Sequence, residues 1–251
     1  MKLYICANGF TSEQLDQALN CVASLEGMGH ECSMASALSQ KLYKDDGYVR
    51  FTVAESDLVV SLGGDGALLK AAATALKADR PLIGINAGRV GYLCAMKLED
   101  IEHFNEKVAS GRKVVCSLLQ VDFEGKRFYA LNDIVVSKTN FGKTVDLCVY
   151  ADENKLFQVR GDAVIVSTPT GSTAYNRSAG GPIIDENVRA LCVTSVCANT
   201  QNYPHVVNDD RIIRVKVNHE DAGIYADSQF LGKFPDELLI AKADKTLILY
   251  K

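Results

Sequence analysis

Several signatures are missing from this sequence, and each absence removes a class of function. No apolar run approaches the roughly 20 residues needed to span a bilayer, so a membrane-spanning role is not expected. The first apolar stretch, Lys2–Ala7, is too short for a signal-peptide core and has no cleavage signature. No dense Lys/Arg stripe occurs and the formal net charge is −4, which disfavours a nucleic-acid partner, since phosphate neutralisation needs clustered positive charge. Small anions stay open, because backbone N–H groups and a few cations can hold them. The eight cysteines form no C-x-x-C pair and have no histidine at metal-ligand spacing. They read as small buried hydrophobes of a reducing compartment, and the chain as cytoplasmic. No tract is compositionally biased and no internal repeat is present, which leaves a globular chain.

What is present alternates in two rhythms. Up to about residue 113, strand and helix signals alternate as in an α/β layer fold. Lys2–Ala7 reads as a strand, and Ser12 as the N-cap of a helix running to about Gly29. Asp57–Leu62 reads as a buried strand, Ala67–Ala78 as an Ala/Leu-rich helix and Pro81–Asn86 as a further strand. From 114 onward strand-length segments dominate: Cys116–Phe123, Arg127–Leu131, Asp133–Ser137, Val145–Ala151, Lys155–Arg160 and Ala163–Ser167. Turn pairs Glu124-Gly125 and Glu153-Asn154 join some of them. Glu186–Ala198 reads as a helix, and strands return at Ile212–Asn218, Gly223–Ala226, Glu237–Ala241 and Thr246–Tyr250. Two domains are expected, an α/β domain over 1–113 and a mostly antiparallel β domain over 114–251, with the last strand free to pack back on the first domain.

Four stretches carry chemistry. Gly63-Gly64-Asp65-Gly66 follows a strand and opens a helix, where glycines let N–H groups approach an anion beside the positive helix end. A carboxylate there would repel phosphate, so Asp65 suits a substrate hydroxyl or a divalent cation; the plainer reading is a tight turn with Asp65 near the N-cap. Lys70, one turn on, is either a phosphate partner or a solvated helix lysine. Asn86-Ala87-Gly88-Arg89-Val90-Gly91 repeats the pattern at a second strand end, and ligands of open α/β sheets gather at such ends. Asn132-Asp133 is either a turn or an amide–carboxylate pair suited to vicinal ribose hydroxyls. The stretch Arg160–Pro182 crowds hydroxyls and glycines after an apolar strand, and Tyr175 within it could stack on a base.

Taken in order, these stretches resemble the NAD kinase family. Gly63-Gly64-Asp65-Gly66 is similar to its GGDG motif, Gly84–Leu93 to its second glycine loop and Asn132-Asp133 to its Asn-Glu pair. Ser167–Gly181, with its Ser-Thr-Pro-Thr-Gly-Ser-Thr-Ala-Tyr run, resembles its long nucleotide loop and is the most specific of the four. The resemblance implies an α/β plus all-β fold, Rossmann-like first and sandwich-like second, with NAD bound between the domains. It implies ATP as phosphoryl donor, a divalent cation (Mg²⁺ or Mn²⁺) with no resident protein metal site, and a homodimer or homotetramer. Asp65 would be the general base on the adenosine ribose 2′-hydroxyl. Gly63, Gly64, Gly66 and Lys70 would bind cofactor beside it, Asn132 and Asp133 would hold the ribose, and Thr173, Ala174, Tyr175 and Ser178 would line the nucleotide pocket. Arg160 and Asp162 would reach the nicotinamide end, and Gln229 would be a late site residue.

No Walker-type G-x-x-x-x-G-K-[ST] motif and no protein-kinase signature set competes. The chain departs from the family at Ala67 (usually Thr), Asp133 (usually Glu), Ala163 (often Gly) and Val206–Asp210, and ends at Lys251, as in a compact, divergent, bacterial-type member. Two other functions share some of these features: a lipid kinase with the same GGDG loop, and an NADP(H)-binding protein impaired in catalysis.

Overall fold

The computed structural model of the chain describes residues 1–7, 12–88, 91–218 and 222–251, and the backbone but not the side chain of Ser12. The Ser12 cap, and Arg89-Val90 of the second glycine loop, therefore lie outside the described residues. The described chain divides into two units, Met1–Val115 with Leu247–Lys251, and Cys116–Thr246.

The first unit is a parallel sheet with helices. Its elements are β1 (Lys2–Ala7), α1 (Ser12–Gly27), β2 (Glu31–Met34), α2 (Ser36–Tyr43), β3 (Leu58–Leu62), α3 (Asp65–Ala78), β4 (Leu82–Asn86), β5 (Met96–Lys97) and α4 (Phe104–Ser110). Strand order is β2-β1-β3-β4-β5, all parallel. β3 and β4 are buried at every residue, as central parallel strands with both faces covered must be. Helix α3 buries Leu68, Ala71, Ala72, Ala75 and Leu76, its apolar stripe at helical spacing. β2 and α2 fall where the sequence pattern gave no element; each is short, and Ser33 and Ser39 interrupt the apolar spacing that would mark them. Because β2 and β3 flank β1 on opposite sides, the order reverses at β1, and the glycine turns after β3 and β4 share the carboxyl edge of the sheet.

The second unit pairs two antiparallel sheets. Its elements are β6 (Lys113–Phe123, beginning in the first unit), β7 (Lys126–Ala130), β8 (Asp133–Lys138), β9 (Val145–Ala151), β10 (Asn154–Gly161), β11 (Ala163–Ser167), α5 (Tyr175–Ser178), β12 (Ala190–Val196), β13 (His205–Asn208), β14 (Ile213–Val217), β15 (Ala222–Ala226), β16 (Gln229–Lys233) and β17 (Glu237–Tyr250). One sheet runs β13-β12-β11-β8-β15-β16; the other joins β10-β9-β14-β17 with the β6–β7 hairpin. Alternating residues of both, among them Leu119, Val136, Val149, Val164, Val215 and Ile240, interleave in one core. The last four residues of β17 belong to the first unit, where Leu249 and Tyr250 pair in parallel with β4.

Two expectations are corrected. Glu186–Ala198 is not a helix. Asp185–Val188 is a turn in which the Asp185 carboxylate accepts the Asn187 N–H (2.9 Å), and Ala190–Val196 is a strand between β11 and β13. Its first five residues are buried on both faces, and such a run cannot be told from a buried helix by periodicity; Val193, Thr194 and Val196 favour the strand. The turn placed at Glu153-Asn154 is Asp152-Glu153, since Asn154 already pairs with Ala151 and Asp152 takes the positive φ (51°).

Candidate functional site

In the first unit the site grows out of the end of β3. Gly63 has φ of 136°, in the region that favours glycine, and turns the chain into α3, whose first residue is Asp65. The half-buried Asp65 side chain is fixed by the second glycine loop. Its Oδ2 accepts the Tyr92 N–H (2.9 Å) and its Oδ1 the Leu93 N–H (3.1 Å). Gly91 lies against the same carboxylate. The Cys94 thiol donates to the Gly63 carbonyl (3.6 Å), and burial, with the Asp65 charge beside it, pushes its pKa up to about 12. Each Asp65 oxygen is thus oriented by one N–H and keeps lone-pair capacity for a further donor.

Gly64 and Gly66 differ from Gly63. Gly64 is extended, Gly66 is helical, and a Cβ on either would meet nothing within 4 Å. Both are exposed, so the fold itself does not demand glycine there. Ala67 is buried, its N–H bonded to the Gly64 carbonyl (2.9 Å). Exposed Lys70 borders a cavity of about 330 Å³ with Tyr4, Cys6, Ala7, Leu38 and Thr74. A wider cleft of about 770 Å³ lies along α1 at Asn20 and Ser24, bounded by Asn86–Gly88 and Lys97; Asp65 is not in its wall.

In the second unit the sites meet at the β7–β8 junction. Asn132 and Asp133 are buried, 7% and 5% exposed, which rules out a solvent-facing turn. Asn132 Oδ1 has no hydrogen-bond partner among the described residues. The Asp227 carboxylate accepts the N–H groups of Leu131 (2.7 Å), Asn132 (2.7 Å) and Asp133 (3.2 Å). On the carbonyl side, Thr168 N–H donates to Asn132 (2.9 Å) and Thr168 Oγ1 to Leu131 (2.6 Å). Thr168 Oγ1 also accepts the Gly171 N–H (3.0 Å), holding Gly171 so close that a Cβ there would overlap the Asn132 carbonyl. Burial first, and the Asp227 charge second, raise the Asp133 pKa from 3.8 to about 7. Burial likewise raises that of Asp227, against three N–H groups that oppose the shift.

The Ser/Thr-rich stretch is folded inward, not a surface loop. Ser172 Oγ donates to Pro169 O (2.7 Å) and accepts the Ile184 N–H (3.0 Å). Asn176, fully buried, donates to Ser172 and Pro182 carbonyls and accepts from Thr194 Oγ1 (2.7 Å). These bonds hold Thr173 and Ala174 half-buried and leave Tyr175 43% exposed. Partial burial, with the charges of Cys197, Asp162 and Asp133, raises the Tyr175 pKa, so Asp133, Asp162 and Tyr175 share one neighbourhood. Asp162 also pairs with Lys138 (2.7 Å).

The other expected residues are less engaged. Arg160 is held by Asp146 (3.1 Å). Ser178 Oγ donates to the Ala174 carbonyl (3.5 Å), and Gln229 is exposed where β16 begins. Sequence reasoning passed over Asp227, Thr168 and Asn176. The signal for Asp227 was the Asp227-Ser228 pair between two strand runs, a hairpin-turn signature. Among the described residues no group of three or more His, Cys, Asp or Glu side chains could hold a metal ion, and no helix is long and apolar enough to cross a membrane.

Comparison with known proteins gives two successive matches along the chain. Residues 8–113 match the ATP-NAD kinase N-terminal domain and residues 131–250 the ATP-NAD kinase C-terminal domain. The NAD kinase of Carboxydothermus hydrogenoformans is 38% identical over 199 residues, 74% of this chain and 71% of that protein. The NAD kinase of Syntrophotalea carbinolica is 33% identical over 251 residues, 93% of this chain and 87% of the relative. Among solved structures, an NAD kinase from Archaeoglobus fulgidus in complex with ATP superimposes with a TM-score of 0.78 at 24% identity, covering 100% of this chain and 94% of that one. Yeast NADH kinase complexed with NADH does so with a TM-score of 0.86 at 19% identity, covering 100% and 83%. At these identities the two structures speak to the fold.

Proposed function

The chain belongs to the NAD kinase family, and from that premise we propose that it transfers the terminal phosphoryl group of ATP to the adenosine ribose 2′-hydroxyl of NAD, with Asp65 as general base. The observation that carries this reading is the carboxylate of Asp65, clamped by the Tyr92 and Leu93 N–H groups beside two glycines whose outer faces are open. Phosphoryl transfer asks a protein mainly for positioning and charge stabilisation. The 2′-oxygen attacks the γ-phosphorus, its proton passes to Asp65, and the bond to the leaving ADP oxygen breaks. Fixing the carboxylate in one rotamer before substrate arrives removes that ordering step from the reaction. The open faces of Gly64 and Gly66 let phosphate oxygens approach backbone N–H groups at the start of α3, where the helix dipole is positive.

Acceptor recognition falls to Asn132, Asp133, Thr173, Ala174 and Tyr175. Asn132 Oδ1, without a partner among the described residues, is a buried acceptor whose desolvation costs about 1–3 kcal/mol until a donor arrives, and a nucleoside supplies one. A carboxyl that titrates near neutrality, as Asp133 does, can both accept from and donate to vicinal hydroxyls. Tyr175 offers an exposed ring face to the base. Arg160, Asp162, Ser178 and Gln229 complete the acceptor end, and Gly63 and Lys70 the phosphate end. Mg²⁺ or Mn²⁺ bound to the nucleotide phosphates would neutralise charge there. The enzyme works in the cytoplasm as a homodimer or homotetramer.

The test is to incubate the purified full chain with ATP, Mg²⁺ and NAD and to detect product with an NADP-specific dehydrogenase. NADP formation is expected. Tight NADP binding without turnover, or phosphorylation of a diacylglycerol or sphingosine acceptor instead, contradicts the assignment.

A further inference from the structure

Resting on the acceptor-site reading above, we propose that Asp227 is a positioning residue for NAD, its carboxylate setting the backbone from which Asn132 and Asp133 reach the acceptor. The arrangement is specific. Three consecutive N–H groups, of Leu131, Asn132 and Asp133, converge on one carboxylate 94 to 96 positions away in sequence. Its own N–H returns a bond to the Asp133 carbonyl (3.0 Å). With Thr168 holding the carbonyls of Leu131 and Asn132, the main chain of the junction is engaged on both sides. Among the described residues, the Asn132 amide oxygen there has no hydrogen-bond partner.

A purely structural turn does not require this carboxylate. Asp227 and Ser228 both have positive φ (45° and 68°) and link Ala226 to Gln229, a two-residue hairpin turn that Asn-Gly or Asp-Gly fills equally well. Asparagine would make the turn without placing a second acid beside Asp133, whose carboxyl the Asp227 charge disfavours ionising. Only a carboxylate offers two oxygens that both accept, and three N–H donors need both. The side chain therefore serves the junction, and through it the orientation of Asn132 and Asp133. The turn also places Gln229 two residues along the same hairpin.

Asp227→Asn keeps a favoured turn residue but loses one accepting oxygen and points an NH₂ group at N–H donors. Wild type, Asp227→Asn, Asp227→Glu and Ser228→Gly would be compared for KM of NAD, KM of ATP, kcat, NADP affinity by calorimetry and thermal midpoint. For Asp227→Asn the KM for NAD and the Kd for NADP are expected to rise about 10- to 100-fold, in proportion to charged hydrogen bonds lost. The KM for ATP should stay within about 3-fold, since a change of that size falls below the loss of one such bond. The acid limb of the kcat/KM profile for NAD should move to lower pH as the negative neighbour of Asp133 disappears. Asp227→Glu should restore part of the affinity and Ser228→Gly should match wild type. If Asp227→Asn does not fold, Asp227→Glu alone decides, with a raised KM for NAD at unchanged KM for ATP supporting the role. Unchanged NAD and NADP affinity in the variants, or parallel loss of ATP and NAD affinity, overturns it. Wild type inert toward NAD would instead sink the acceptor assignment itself, which separates the two failures.

Discussion

Gly91 and Asp65 compete for one volume: a Cβ on Gly91 would overlap Asp65 Oδ1. The glycine is what allows the Tyr92 and Leu93 N–H groups to close on the carboxylate. Gly91→Ala must therefore displace Asp65 or open the loop. A shift of about 1 Å in a catalytic group can cost roughly 100-fold in rate. Steady-state kinetics should show kcat falling by about that factor, with a thermal midpoint that moves far less than the activity.

Gly64 and Gly66 should behave in the opposite way toward stability. Nothing lies within 4 Å of a Cβ at either, and Gly66 is helical, so Gly66→Ala should stabilise the fold by up to ~1 kcal/mol. If phosphates approach this face, the same methyl obstructs them, and turnover should drop at least about tenfold, one hydrogen bond's worth. Thermal unfolding and kcat/KM, measured together on both alanine variants, check this. Equal activity in a stabilised Gly66→Ala would mean that no ligand uses the face.

Asp133 gives the protein a pH signature. Its folded pKa, about 7, lies above the ordinary 3.8, so folding favours the protonated form. The stability it contributes is full below pH 4 and is lost as pH rises through 7, by at most ~4 kcal/mol. Wild type should thus lose stability from pH 5 to pH 8 relative to Asp133→Asn, whose amide has no proton to release. Urea unfolding at the two pH values measures the difference. A gap that stays constant, or that favours wild type at pH 8, contradicts a neutral Asp133.

Legibility from sequence followed the range of the interaction. The glycine turns were readable because strand, turn and helix are consecutive, and β3, α3 and β4 appeared within a residue or two of their expected bounds. The β12 strand was not, since Ala190–Val196 is buried on both faces and carries no alternation. Asn132-Asp133 looked like a turn because both residues favour turns; only contacts with Thr168 and Asp227, 36 and 95 positions away from Asn132, bury it. The same holds for the partnership of Asp65 with Tyr92 and Leu93, which joins two loops that sequence reading treats separately.

The base assignment is tested most directly by Asp65→Asn, a change of nearly equal size that removes the ability to take a proton and leaves one oxygen, in place of two, to accept the Tyr92 and Leu93 N–H groups. Single-turnover NADP formation and calorimetric NAD binding would be measured on the same preparation. The expected result is a rate reduced about 10²- to 10⁴-fold, the range of general base catalysis, with the Kd for NAD within about 3-fold of wild type. A rate near that of wild type, or a rate loss accounted for wholly by weaker NAD binding, would show that Asp65 is not the base.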